Sequence, residues 1–334
     1  MKKLISFITF SFFLFPFITA QENDNPQPGS PIRAYLNLNN ISTVFKNDGI
    51  SDINIGEDAS GFVYPFGTGK RAIFISGILW GAIVDDPNIP NVGGSTYRSG
   101  LQGGQINPDG TFPDPNSPGV RIFRVRPDVY PGGPSIDLSR EAMDEGKTEQ
   151  EIKAQYELDW YEWPADLGAP FYDGNNDNQY NPDPISGDIP GIEGASQTIW
   201  FVANDQDATR TQWLYGTMPM GIEYQGTIWE YKIPGFLNNL LFRKYTIINE
   251  TFALGYPKTF EDMYVSMWSD PDIGTSTNDF AGCDTTLSMV YGFNAYDFDQ
   301  IYDPYPTPAV GFKLLKGPSI TGNQYLPMTA AYYF

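Results

Sequence analysis

Glycine and proline interrupt this 334-residue chain so often, with 34 and 28 copies, that little of it can hold a long helix. Each interior glycine costs a helix about 1 kcal/mol and each proline about 3 kcal/mol relative to alanine. Between the interruptions lie short runs rich in β-branched and aromatic residues. Arg71–Val84 (RAIFISGILWGAIV), Val120–Arg126 (VRIFRVR), Thr198–Ala203 (TIWFVA), Gly221–Ile233, Leu240–Ile248, Met263–Trp268 and Leu287–Phe293 all read as strands. In the last run Leu287, Met289, Tyr291 and Phe293 recur at every second residue, which predicts one buried face. The fold class that follows is all-β: an antiparallel β-sandwich with long loops and a short helical insertion. The insertion is Ser135–Trp160. Thr148 and Glu151 have the spacing of a capping box, Ile152 and Tyr156 share a helical face, and Gly146 is expected to split the segment in two. The Gly-, Pro-, Asn- and Ser-rich segment Asp85–Gly119 reads as a long surface loop.

Two absences narrow the chemistry. The chain has no histidine, so an imidazole base and histidine-ligated zinc are excluded from it. Cys283 is its single cysteine, so no intrachain disulfide forms; a lone thiol without a histidine beside it reads as a small buried apolar group. The net charge of −20 repels nucleic-acid phosphates and excludes nucleic acid as a partner. No catalytic set is nominated on these grounds.

Met1–Ala20 has the build of a signal peptide: Lys2 and Lys3, an apolar stretch from Leu4 to Ile18, and the small Ala20 before Gln21. No later segment reaches the length of a transmembrane span. The expected location is secreted or on the outer cell surface. Residues 21–33 read as a flexible N-terminal segment and 34–334 as the β-rich extracellular region. That region is one large sandwich, or two halves, 34–165 and 195–334, joined by the acidic loop 166–194. It breaks off at Tyr332-Tyr333-Phe334 in mid-pattern, as the N-terminal part of a longer protein would.

The most specific local motif is Asp173–Asp183, DGNNDNQYNPD. Asp173, Asn175 and Asp177 carry oxygen on alternate residues. Gln179 falls where a backbone carbonyl usually serves, Asn181 follows, and Asp183 is the closing acid, with Asp188 as a second candidate for that place. Calcium takes six to eight hard oxygen ligands, and this spacing turns them toward one centre. The loop resembles those of dockerins and thrombospondin type 3 repeats, with Asn178 in place of the usual glycine; asparagine tolerates the left-handed conformation required there. Calcium is the expected cofactor. A second acidic loop, Asp270, Asp272, Asp279 and Asp284, follows the strand pair Phe242–Ile248 and Met263–Trp268. It is a further candidate for a metal. Trp160 and Trp163, in the cluster WYEW, are candidate sugar-stacking rings; the competing reading of such a cluster is that it covers a core edge.

Several phrases together resemble the N-terminal region of large secreted proteins of Bacteroidetes and Ignavibacteria-type bacteria. They are NNISTVFKNDGISD, RAIFISGILWGA, DGNNDNQYNPD, QTIWFVANDQD, LLFRKYTIIN and YVSMWSDPDIG…NDFAGCDTT. The resemblance implies export by type IX secretion and no defined activity. The functional expectation is a calcium-stabilised structural or adhesion module whose partner is an extracellular glycan or protein. The alternative is a carbohydrate-binding module, or a glycan-active hydrolase using paired carboxylates.

Overall fold

The computed structural model describes residues 32–54, 59–320 and 324–333. The signal-peptide reading of Met1–Ala20 and the N-terminal segment up to residue 31 lie outside them. Two antiparallel sheets face each other. In the first, the long strand Arg71–Ile83 is flanked by Glu261–Pro271 on one side and by Phe62–Val63 and Asn91–Gly94 on the other. The hairpin of Arg33–Leu36 with Thr43–Lys46 adjoins it through the bridges Ser42–Val63 and Ser51–Ser76. In the second, Gln197–Asn204 pairs with Ile222–Glu230, which pairs with Leu241–Asn249. The other edge of Gln197–Asn204 takes two short strands, Gln102–Gly103 and Phe123–Val125. The all-β expectation holds, with the helical insertion in the expected place.

The main core fills the space between the sheets. Leu36, Phe45, Ile78 and Trp80 come from the first sheet, and Ile199, Phe201, Ile222, Tyr224 and Ile228 from the second. Residues on both sides of the 166–194 loop therefore share one core. Period-two alternation turns Trp200 and Val202 of the same strand outward. There they meet Phe123, Val125, Trp163 and Ala169 in a second core. All eight residues of Gln197–Asn204 are buried as a result. Opposite Phe201 the partner strand carries Gly226, and a Cβ there would collide with the Phe201 ring. Glycine lets the ring lie flat across the neighbouring strand.

The insertion forms two helices, Ser139–Glu145 and Glu149–Tyr161. Gly146 ends the first in the left-handed conformation, and the complete Thr148–Glu151 capping box starts the second. A third helix, Ala208–Tyr215, is started by Asp207, whose side chain accepts from the N–H groups of Thr209 and Arg210. No helix among the described residues is long and apolar enough to cross a membrane.

Three expectations are corrected. The Asp85–Gly119 segment is not only loop: it supplies the strands Asn91–Gly94 and Gln102–Gly103 and buries Leu101 and Ile106. Strand Met289–Asn294 is real, but its apolar face points outward, leaving Phe293 and the preceding Leu287 exposed. Its inward positions are Gly292, against Pro271 and Ile273, and the buried Asn294; small and polar residues suit that side. Cys283 is exposed rather than buried, because its strand, Asp279–Asp284, is at the edge of a three-stranded sheet completed by Met289–Asn294 and Ala309–Lys313.

Buried acids set the pH response. Burial pushes Glu230 up to about 7, against the N–H groups of Leu38 and Asn39 that it accepts. Burial also pushes Asp159 up to about 6 despite Arg121. A carboxylate whose folded pKa lies above its unfolded value binds protons in the native state, so stability falls as pH rises through that window. In EDTA-containing buffer the melting temperature is expected to peak near pH 5 or slightly below, roughly the lower edge of that window, and to drop by several degrees at neutral pH. Glu230→Gln is expected to flatten the slope. A melting temperature that climbs steadily from acid to neutral pH, measured by circular dichroism, would contradict this.

Candidate functional site

The short hairpin of Phe171–Tyr172 with Ile189–Pro190 closes a loop whose two ends are both acids, Asp173 and Asp188. Asp173 organises its first half. Its Oδ1 accepts from the N–H groups of Asn176 at 2.6 Å and Asp177 at 3.3 Å, and its Oδ2 from that of Asn178 at 2.7 Å. Asn175 accepts from the Asp177 N–H at 2.9 Å, and Asp177 from the Gln179 N–H at 2.8 Å. The chain thus winds around a set of side-chain oxygens. Asn176 and Asn178 have φ of 62° and 61°, so Asn178 takes the left-handed conformation that the motif requires of it.

Asp188, only 1% exposed, supplies the other wall. Its Oδ1 accepts from the Gly174 N–H at 2.9 Å and its Oδ2 from the Asn181 N–H at 2.8 Å. No lysine or arginine among the described residues pairs with it. At the neck of the loop Gly174 lies against the Gly187 carbonyl, too close for any side chain. Asp183 caps the 3₁₀ turn Pro184–Ser186, accepting from the Ile185 N–H at 3.0 Å. Asp188, the second candidate for the closing place, is the acid whose two oxygens bind both halves of the loop. The hard-oxygen set suited to a cation is Asp173, Asn175, Asp177, the Gln179 carbonyl and Asp188, with the Asn181 side chain alongside, donating to Asp177 Oδ2 at 3.3 Å. Among the described residues no group of three or more acids that could hold a metal ion comes together; a cation in this loop would need amide and backbone oxygens as well. That mixture is what calcium accepts and zinc does not.

The loop is fastened to the helical insertion. Trp160 donates its indole N–H to the Pro182 carbonyl at 2.9 Å, and Tyr180 donates its hydroxyl to the Trp160 carbonyl at 2.7 Å. Burial and then the charge of Asp188 push the Tyr180 phenol up. Trp160 and Trp163 are 3% and 4% exposed. They are core residues, not open sugar platforms: Trp163 packs on Phe123 and donates to the Pro170 carbonyl.

The second acidic loop does not hold together as one set. Asp270 accepts the Tyr97 hydroxyl at 2.8 Å. Burial first, then Asp270, raises Asp272. Asp279 accepts the Ile273 N–H at 2.8 Å, and burial, with Asp272 adding repulsion, pushes it up to about 6. Asp284 lies at the far end of strand Asp279–Asp284, roughly 16 Å away at strand rise. There it caps a turn through the Thr286 and Leu287 N–H groups. Asp299, not singled out by the sequence, joins the near group by accepting from the N–H groups of Thr275 and Ile301.

Trp163→Ala is expected to cost about 3–5 kcal/mol of unfolding free energy in a urea titration, as a buried aromatic should. Asn178→Gly is expected to be tolerated, whereas Asn178→Ala costs about 1–2 kcal/mol. A Trp163→Ala protein of unchanged stability would return that ring to the surface. No family model, no curated protein and no solved structure matches this chain.

Proposed function

We propose that this chain is an exported, calcium-stabilised β module with a structural or adhesive role at the cell surface or beyond it. The observation that supports it most is the Asp173–Asp188 loop. Its backbone is already wound around oxygen side chains, and it ends on a buried carboxylate with no cationic partner. Concentrating carboxylates costs free energy through repulsion and desolvation, and a divalent ion removes that cost. A chain with one cysteine has no disulfide to lock its loops, and an ion bridging the two ends of this loop constrains it in the same way. The loop is tied through Trp160 and Tyr180 to the helical insertion, so its order reaches the second core. The acidity, the leader and the resemblance to type IX-exported proteins support the extracellular setting, where calcium is plentiful.

Calcium titrated into the protein by calorimetry is expected to bind saturably. At one hundred times its Kd it is expected to add about 2.7 kcal/mol to stability, with EGTA reversing the shift. Asp173→Ala/Asp177→Ala is expected to abolish both effects. An unchanged melting curve and no heat would refute the proposal, and heat that survives the double substitution would move the ion to the Asp270–Asp299 region.

A further inference from the structure

We propose that the free edge of strand Glu261–Pro271 takes up an extended segment of a partner protein, apolar in its middle and basic at both ends, as an added strand of the first sheet. Arg71–Ile83 is the only strand that pairs with it among the described residues. An antiparallel strand turns every second residue's N–H and C=O away from its partner, so the far edge offers a row of unpaired groups. Register shifts interrupt the ladder between Glu261 and Tyr264 and between Asp270 and Pro271. Between them Tyr264–Asp270 runs in unbroken register and holds no proline, lysine or arginine. Sheet edges are ordinarily blunted by such residues. The open edge of the second sheet is blunted in this way: Leu241–Asn249 carries an exposed Lys244 near its middle.

The strand is also thinly covered on both faces. Tyr264 is 67% exposed, Val265 38% and Met267 37%, with Ser266 exposed among them. Pairing fixes the side that each occupies. Val265 and Met267 stand opposite the core residues Trp80 and Ile78, whereas Tyr264 and Trp268 stand opposite Gly81 and Gly77 on the outer face. A strand laid alongside meets apolar neighbours on both faces, so an occupant with apolar middle residues gains most.

Charge selects the occupant. Glu261 and Asp262 stand at one end of the strand, and Asp270 and Asp272 at the other. None of the four forms an ion pair with a lysine or arginine among the described residues. A second copy of this chain, paired antiparallel along the same edge, would set Glu261 and Asp262 against Asp270 and Asp272 twice over, and like charges across strands destabilise a pair. The net charge of −20 adds to that repulsion. A partner strand with lysine or arginine at both ends meets acids at both ends instead. Rings strengthen the Asp270 end. Tyr97 is 56% exposed, donates its hydroxyl to Asp270 at 2.8 Å, and lies 4.7 Å from the Trp268 ring, edge to face. A basic side chain that reaches Asp270 therefore comes beside aromatic faces as well. The proposal goes beyond the calcium reading and uses none of the oxygens of the Asp173–Asp188 loop.

The test is fluorescence anisotropy with the full chain and a labelled peptide of alternating valine and threonine, with paired lysines at both ends. It is expected to bind with Kd on the order of 0.1 mM. The same peptide with glutamates for lysines, or with prolines at two central positions, is expected to bind at least about tenfold more weakly. Asp262→Asn/Asp270→Asn is expected to weaken the lysine peptide about tenfold; asparagine suits the φ of 49° at residue 262. Asp166→Asn/Glu193→Gln makes the same change in net charge at exposed positions on the second core's side of the molecule, and is expected to leave binding unchanged. Hydrogen exchange of the Tyr264–Asp270 amides is expected to slow on binding. No binding at about 5 mM peptide, or equal binding of the proline peptide, would overturn the proposal. Equal weakening by the two double variants would also overturn it, leaving attraction by net charge only. Protection of amides elsewhere and not in Tyr264–Asp270, or a dimer of this chain that protects them without peptide, would do the same. If Asp262→Asn/Asp270→Asn does not fold, the exchange map decides between these outcomes.

Discussion

Strand Gln197–Asn204 is buried on both faces, and most of the architecture answers that condition. A strand with two apolar faces has to be covered twice. The first sheet covers Ile199, Phe201 and Ala203. Phe123, Val125 and the segment after the helical insertion, with Trp163 and Ala169, cover Trp200 and Val202. Without that segment the sandwich would expose Trp200, and without the sandwich the insertion would have no floor. Ile152, Tyr156, Val129 and Leu138 form only a small cluster between the helices and the chain before them.

Arginine rather than apolar packing holds the insertion against the sheet. Along Val120–Arg126 three guanidinium groups are buried, and each meets an acid from the helices: Arg121 with Asp159, Arg124 with Glu145, and Arg126 with Glu141, at 2.9, 2.6 and 2.5 Å. Buried pairs of this kind add little net stability, because desolvation offsets attraction. Losing one member leaves a naked charge, so they fix the register of helix on sheet. Asp159 is doubly bound, since its Oδ2 also accepts the Arg124 backbone N–H. The same helix end carries Trp160, which receives the acidic loop. The candidate site therefore hangs from this clamped element.

Much of this is legible in the sequence because strands announce themselves by period and composition. RAIFISGILWGAI and QTIWFVAN are strands as read, and the break at Gly146 and the capping box at Thr148 fall where local chemistry puts them. Other features are decided by tertiary contact. NVGG and QG become strands by pairing with Leu79–Ala82 and with Ala203–Asn204, where Gly93 lies against Trp80 and Gly103 against Asn47. The face of Met289–Asn294 that packs inward is the one carrying Gly292, which lies in contact with Pro271 and Ile273. The cluster WYEW allows sugar-stacking rings or a core edge, and Trp160 and Trp163 turn out to be core, each indole N–H donating to a proline carbonyl. Alternating oxygens reveal the loop, but spacing ranks Asp188 behind Asp183. Five more residues fold back through the 3₁₀ turn before the chain returns to Asp173, and spacing does not show that return.

The most direct test of the central claim is terbium luminescence, because the loop touches aromatic rings on two sides, Trp160 and Tyr180. If the ion is held by the mixed oxygens of Asp173, Asn175, Asp177 and the Gln179 carbonyl, closed by Asp188, exciting the protein's aromatic rings sensitises bound terbium. Calcium then quenches the emission by displacement. Asp188→Asn abolishes it, while Asp183→Asn leaves it intact. Emission that depends on Asp183 and not on Asp188, or no sensitised emission at all, would contradict the account.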